Sequence, residues 1–263
     1  MNFEVYILGV RSNFRGDSLL DHLVNLGLKP QIVWGPEVNV DFELISELTN
    51  QKYSRFTIKR DIKPQEVACC EGHIRMYRAF LASNKEWGLF LEDDAIVVSD
   101  PSPLLEKLSS ITSPVQIFIH DGPGVNLEVS FQEHEGISKC DFWQKLDPQY
   151  GAYGYILNRK AVKKILQSKI TFYINTPDWP YLWPSDITFY HSKKVYIRHP
   201  ADSSMSIIGE RINAEAKIAN LLPNPIRVAQ GLRLGLSLSE VSKREITLKL
   251  TRIFLQISRK VRK

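Results

Sequence analysis

Three carboxylates stand side by side at Glu92-Asp93-Asp94, directly after the apolar run Trp87-Gly88-Leu89-Phe90-Leu91. Adjacent negative charges repel, and each costs free energy wherever it is partly desolvated. Such a knot is most easily kept where a cation sits, and an all-oxygen donor set suits a hard divalent ion such as Mg²⁺ or Mn²⁺. Ions of this kind keep room for substrate phosphates, so acids at the carboxyl end of a strand point to nucleotide chemistry. The plainer reading is that the acids turn the chain and cap the helix that follows Pro101.

Other residues are placed to join them. Arg11 and Arg15 follow the first apolar stretch, and a guanidinium suits a diphosphate by its planar, bidentate donors; both also read as exposed loop residues. His73 falls four residues after Cys69 and seven after Glu66, so the three share one helix face. Cys-x₃-His pairs sulfur with nitrogen for a soft metal, yet one pair is too few ligands for a closed zinc site, and a core-packed histidine is the bland alternative. Gly151 and Gly154 allow a close backbone approach beside Tyr153 and Tyr155. His199 ends the last apolar stretch within reach of a diphosphate or metal.

The elements that must position these groups alternate in kind. Strands are expected over 3–10, 31–34, 87–91, 115–119, 153–157 and 194–198. Helices are expected over 15–28, from about Gln65 to Ser83 behind Pro64 at a first helical position, within 102–110, and from Arg159 to Ser168. Alternation of this kind predicts an α/β fold with a mostly parallel central sheet, binding its ligand at the carboxyl ends of the strands.

At 263 residues the chain buries a full core, with 43% hydrophobic and 24% charged residues, as in ordinary globular proteins. No apolar run is long enough to span a bilayer, and the start Met1-Asn2-Phe3-Glu4 lacks the basic region of a signal peptide. Three cysteines, Cys69, Cys70 and Cys140, are too few for a disulfide framework and fit a reducing, cytoplasmic compartment. The net charge of +5 belongs to the tail: residues 240–263 hold eight basic side chains against two acidic ones. There Ile246, Leu250, Ile253, Phe254 and Ile257 fall on one side of a helical pattern, with Lys249, Arg252, Arg259 and Lys260 elsewhere. A basic amphipathic segment of this kind suits an anionic membrane surface; a helix docked on the body or a dimer contact are the alternatives. Nucleic acid is not expected as a partner, since the basic residues do not extend over the body. The expected division is a catalytic domain over 1–206 and a helical, basic extension over 207–263.

With these pieces in place the chain resembles glycosyltransferase family 25, the lipopolysaccharide-type galactosyltransferases. Glu66-Val67-Ala68-Cys69-Cys70-Glu71-Gly72-His73 is similar to the family's Gly-Glu-Ile-Gly-Cys-x-x-Ser-His block, with Gly72 for the usual Ser and Pro64-Gln65 where a Gly precedes the Glu. Leu89-Phe90-Leu91-Glu92-Asp93-Asp94-Ala95 resembles its strand ending in Glu-Asp-Asp. Gly151-Ala152-Tyr153-Gly154-Tyr155-Ile156-Leu157-Asn158-Arg159-Lys160-Ala161 resembles its Gly-Thr-x-Gly-Tyr-x-x-x-Arg-x-Ala segment. The three blocks keep their order and spacing over roughly residues 1–200.

The resemblance implies a Rossmann-like fold of the GT-A type, a UDP-sugar donor, a glycan or glycolipid acceptor and Mn²⁺ or Mg²⁺. It implies Asp94, with Asp93, as metal ligand, and Asp93, Glu92, Arg11, Arg15, His73, Gly151, Gly154 and Tyr155 near the donor. An inverting transfer needs a carboxylate base: Asp186 in Pro184-Ser185-Asp186 is the first candidate and Asp178 the second. Trp179, Tyr181 and Trp183 would form an aromatic platform for an acceptor sugar, or else a hydrophobic lid. The expected activity is transfer of a hexose, galactose foremost, to a lipopolysaccharide or other surface glycan at the cytoplasmic face of the inner membrane. Two rivals stand beside it: a metal-dependent phosphoesterase drawing on His120-Asp121, and a non-enzymatic membrane-surface scaffold.

Overall fold

The computed structural model describes residues 2–49, 51, 61–120, 133–134, 137–139, 152–167, 187–192 and 194–200. The chain divides into two units, Met1–Thr49 with Lys63–Gly209, and Asn50–Ile62 with Glu210–Lys263. In the second, the Gln51 side chain donates to the Ile62 carbonyl and accepts from its N–H, at 2.9 Å each.

In the first unit the apolar stretch Phe3–Gly9 forms β1, and it is buried on both faces, as a strand between two layers must be. Helix α1 (Asp17–Asn25) returns the chain to β2 (Pro30–Trp34), parallel to β1. Helices α2 (Phe42–Leu48) and α3 (Pro64–Ala82) lead to β3 (Trp87–Glu92), parallel to the other edge of β1. After β4 (Ile96–Val97) and α4 (Ser102–Lys107) come β5 (Val115–Phe118), β6 (Glu133–His134) and β7 (Ile137–Lys139). Then follow β8 (Gly154–Asn158), α5 (Arg159–Gln167), β9 (Thr188–Ser192) and β10 (Ile197–Arg198).

The main sheet runs β2-β1-β3-β8-β5-β9-β7-β6. Two parallel runs, β2-β1-β3 and β5-β9, are joined by β8, which is antiparallel to both of its neighbours. The expected mostly parallel sheet is therefore present but interrupted, because an apolar run carries no mark of its direction. The expected strand over 194–198 shrinks to Ile197–Arg198, which leaves the main sheet to pair with β4 in a two-stranded ribbon. Strand β9 takes the place beside β5 instead.

Alternate residues divide the core in two. Val5, Ile7, Leu89, Leu91 and Ile156 face a cluster with Leu19 and Leu23 of α1 and Leu104 and Leu105 of α4. On the opposite face Tyr6, Phe90 and Tyr155 stand in register across β1, β3 and β8. Their rings stack at 5.6 and 5.4 Å between centroids, nearly parallel, and Phe80 and Tyr77 of α3 meet Phe90 edge-on. Cross-strand aromatic pairs of this kind fix register as well as adding burial.

The third sequence block has a structural task at its far end. Arg159 opens α5, and its guanidinium donates to the carbonyls of Lys85 (2.8 Å), Leu81 (3.1 Å), Phe80 (3.3 Å) and Ser83 while resting on the Phe80 ring. A cation is thus set at the carboxyl end of α3, where orphan carbonyls and the helix dipole favour it. Asn158 just before it caps α5 through the Ala161 N–H (3.0 Å) and also binds the Val115 N–H (3.1 Å) and Ser113 carbonyl (2.6 Å). Arg159→Met is expected to cost about 3 kcal/mol in urea unfolding, with Arg159→Lys recovering little because a single ammonium cannot span the fan of carbonyls.

Candidate active site

β3 delivers the acidic triplet to the sheet's edge, and the chain turns there: the Ala95 N–H donates to the Glu92 carbonyl at 3.0 Å, closing a turn over Glu92-Asp93-Asp94-Ala95. Because β1 and β2 run parallel to β3, their carboxyl ends meet the same edge. From β1 the chain makes a single 3₁₀ turn (Arg11–Asn13) and reaches Arg15 just before α1. The Arg15 backbone N–H donates to Asp93 Oδ2 (3.2 Å), its guanidinium donates to Asp93 Oδ1 (2.7 Å), and the same nitrogen lies 3.1 Å from Asp94 Oδ2. A Cβ at Gly16 would fall 2.6 Å from the Phe14 ring and 3.4 Å from Asp93 Cβ, so this close passage of the loop requires glycine.

The β4–β10 ribbon brings in an imidazole. It carries His199 alongside Asp94, Nε2 to Oδ2 3.6 Å, with the ring edge-on to Tyr153 at 5.2 Å. His199 Nδ1–H donates to the Pro200 carbonyl at 2.9 Å, which leaves Nε2 turned to the carboxylate. A histidine that bonds a backbone carbonyl through one nitrogen and presents the other is the usual orientation for metal ligation. Asp94 Oδ1, for its part, is buried with no hydrogen-bond partner. A buried carboxylate with one oxygen lacking a donor and the other beside an imidazole nitrogen fits a divalent cation.

Electrostatics separates the three acids. Burial pushes Asp93 above the ordinary carboxylate range, with Arg15 pulling against it. Burial and the Glu92 charge raise Asp94, with Arg15 and His199 opposing. Burial works on Glu92 too, but hydrogen bonds from His73 and the Cys69 thiol oppose it, and its pKa is lowered.

Glu92 faces away from Arg15, into the aromatic side of the sheet. His73 Nε2 donates to Glu92 Oε1 at 3.2 Å, and the Cys69 thiol lies 3.7 Å from the same oxygen. His73 Nδ1 then accepts from the Tyr155 hydroxyl (2.7 Å), which accepts from Tyr77 (2.8 Å). Burial raises both phenols, so both stay protonated and the chain of donors runs one way, from Tyr77 to the carboxylate.

Several expected contacts change meaning here. Arg15 is not an open clamp for a diphosphate but the counter-charge of Asp93 and Asp94, which adjacent buried acids require. Asp93, 5% exposed, has both oxygens engaged by Arg15, leaving Asp94 as the acid with a lone pair to give. His73 and Tyr155 are fully buried behind Glu92, where their hydrogen bonds orient that carboxylate. The approach that Gly154 permits is by Ile197, whose side chain lies 2.7 Å from where a Cβ would be. Arg11 is exposed and rests over the Trp34 indole at 4.9 Å, at the rim formed by β1 and β2. His120, drawn on by the phosphoesterase reading, is buried 4.7 Å from Tyr153, and burial with the His191 charge pushes its pKa down to about 3.

Gly151, Asp178, Trp179, Tyr181, Trp183, Asp186 and the tail from 207 lie outside the described residues. Tyr77 was not singled out from the sequence, although it follows His73 by four as His73 follows Cys69, so the helical period carries it to the same stripe of α3.

Comparison with known proteins places the chain. The model of glycosyltransferase family 25 (LPS biosynthesis protein) matches residues 22–178, more than half of the chain. No curated protein matches significantly. Among solved structures, A197 from STIV is 12% identical with a TM-score of 0.40, covering 77% of this chain and 87% of its own. TarS 1–349 from S. aureus in complex with UDP-GlcNAc is 14% identical with a TM-score of 0.42, covering 97% and 73%. The same TarS fragment without that ligand gives 14%, 0.40, 95% and 71%. Overlaps this low carry no argument for fold or ligand. The family match, spanning the β3 acids, the Cys69–His73 stripe and the β8 block, does: the chain belongs to glycosyltransferase family 25.

Proposed function

We propose that this chain transfers a hexose, galactose foremost, from a UDP-sugar to a lipopolysaccharide or other surface-glycan acceptor, with inversion and with a divalent cation. The observation that carries the reading is Asp94 at the β3 edge of a family 25 chain, with Oδ1 buried and donorless and Oδ2 beside His199. Asp94 and His199 would hold the cation, Mn²⁺ or Mg²⁺, which when bound supplies charge neutralisation to a leaving diphosphate. Arg15 keeps Asp93 and Asp94 in place and offsets their mutual repulsion. Glu92, pinned by His73 from behind, keeps the first acid of the turn from swinging toward Asp94. Arg11 on Trp34 offers an exposed cation and an aromatic face at the same rim, suited to a nucleotide's phosphate and base.

Asp186, with Asp178 as the alternative, is the proposed base for the acceptor hydroxyl, and Trp179, Tyr181 and Trp183 the proposed acceptor platform. The basic tail is proposed to hold the enzyme on an anionic membrane surface at the cytoplasmic face, next to a lipid-linked acceptor. Among the described residues no helix is long and apolar enough to cross a membrane.

Thermal shift against a panel of UDP-sugars with Mn²⁺ tests the donor. A specific donor stabilises by about 2.7 kcal/mol at a hundredfold excess over Kd, and UDP-galactose is expected to give the largest shift. Absence of a shift with every UDP-sugar would overturn the reading.

A further inference from the structure

We propose that Cys69, His73 and Glu92 form a second metal site, selective for a thiophilic divalent cation such as Zn²⁺ and separate from the oxygen site at Asp94. The three donors come from two rigid elements. Cys69 and His73 occupy successive turns of one face of α3, and Glu92 ends β3 opposite them. Sγ, Nε2 and the Glu92 oxygen lie within 4.8 Å of one another, with Nε2 to Oε1 at 3.2 Å and Sγ to Oε1 at 3.7 Å. Tetrahedral zinc with bonds of about 2.0–2.3 Å separates such ligand atoms by about 3.3–3.8 Å, so an ion enters with small side-chain movements and no change of backbone.

The surroundings are already those of a metal site. A ligating histidine is normally oriented by a hydrogen bond from its other nitrogen, and His73 Nδ1 has Tyr155, itself backed by Tyr77. With Nε2 given to the ion, the ring proton resides on Nδ1 and donates to Tyr155, whose hydroxyl turns to donate to Tyr77. Both polarities of that chain are satisfied by rotating two hydroxyls. The Cys69 sulfur binds as thiolate, so its proton is released when the ion enters. Entry is open because Cys69 is partly exposed and the Glu92 side chain is 24% exposed, while His73 is fully buried. The donor set separates the two sites chemically. The Cys69 sulfur favours zinc over Mn²⁺ or Mg²⁺, which favour the carboxylate at Asp94. Three protein ligands leave the fourth position open to water or a substrate oxygen, as in catalytic rather than structural zinc.

The test uses the full chain, stripped with chelator and titrated with Co²⁺ as a spectroscopic stand-in for Zn²⁺. One equivalent is expected to give a near-ultraviolet thiolate-to-cobalt band that Zn²⁺ abolishes. Asp94→Asn keeps the band, because the oxygen site is not involved, and Cys69→Ser loses it while retaining the metal-free melting curve. In the wild-type chain Zn²⁺ is expected to protect Cys69 from alkylation, read by peptide mass spectrometry, which needs no variant to fold. A wild-type chain without the band, a band that survives Cys69→Ser, or unchanged alkylation of Cys69 in Zn²⁺ would each overturn the site. None of these readouts depends on sugar transfer, so they stand apart from the donor assignment.

Discussion

Replacing Asp94 with asparagine is expected to abolish sugar transfer and, in chelator, to raise the melting temperature at neutral pH. The loss follows from the chemistry proposed for the cation: charge neutralisation at a leaving diphosphate supplies several kcal/mol, and about 4 kcal/mol corresponds to about a 1000-fold lower rate. The gain in stability follows from the environment. Asp94 is 10% exposed, keeps an oxygen without a donor, and has its pKa raised by burial and by the Glu92 charge. A carboxyl whose folded pKa lies above its unfolded value of 3.8 favours the folded state fully below that value. The benefit is lost as pH rises through the folded pKa, so above the unfolded value the carboxyl's ionisation opposes folding. Asparagine removes that cost, and its advantage over the wild type should shrink to nothing below pH 3.8. Thermal melts across pH alongside initial rates decide the matter. A less stable, inactive variant would show Asp94 to be structural, and an active one would remove it from the site.

Arg15→Met is the second large effect, in the opposite sense. It removes the cation shared by Asp93 and Asp94 while leaving both acids largely buried, 5% and 10% exposed. Breaking a buried pair by deleting one partner costs about 3–5 kcal/mol, much of it the desolvation of the charge left behind. Two rescues distinguish this from loss of packing. Adding Asp93→Asn should restore most of the stability, giving a strong coupling in a double-mutant cycle. Lowering the pH should narrow the gap to the wild type, since protonating the acids does what Arg15 did. If Arg15→Met costs under about 1 kcal/mol in urea unfolding, as an exposed pair would, the counter-charge role fails. An effect that is large but unchanged by pH or by Asp93→Asn would assign Arg15 to packing.

What was legible in the chain follows from the range of the forces involved. β1, β3 and β8 announce themselves by apolar runs, and α3 by Pro64 and a helical stripe, because these are local signals. The acids at the end of β3 were visible for the same reason: nothing inside a strand wants Glu92, Asp93 and Asp94 together. Their division of labour was not visible. It depends on Arg15, 78 residues away from Asp93, and on His73, whose ring lies on the other side of the sheet. His199 was named only as a residue within reach of a metal, since its position rests on Ile197 and Arg198 leaving the main sheet for β4, and a two-residue ribbon has no periodicity to read. The reversed direction of β8 escaped as well, because burial on both faces looks alike either way up.

That reversed strand governs how the molecule comes together. By Glu92 the ribosome has supplied β1, β2 and β3, yet the free side of β3 has no partner until Gly154–Asn158 is made. The nascent half-sheet must wait with an aromatic flank and an unpaired ladder exposed, a state prone to sticking to its neighbours. When β8 arrives it pairs with both β3 and β5 and brings Tyr155 under His73, while β9 and the ribbon that carries His199 are still to come. A chain stopped short of that strand has the β3 acids without the Tyr155 hydroxyl that backs His73.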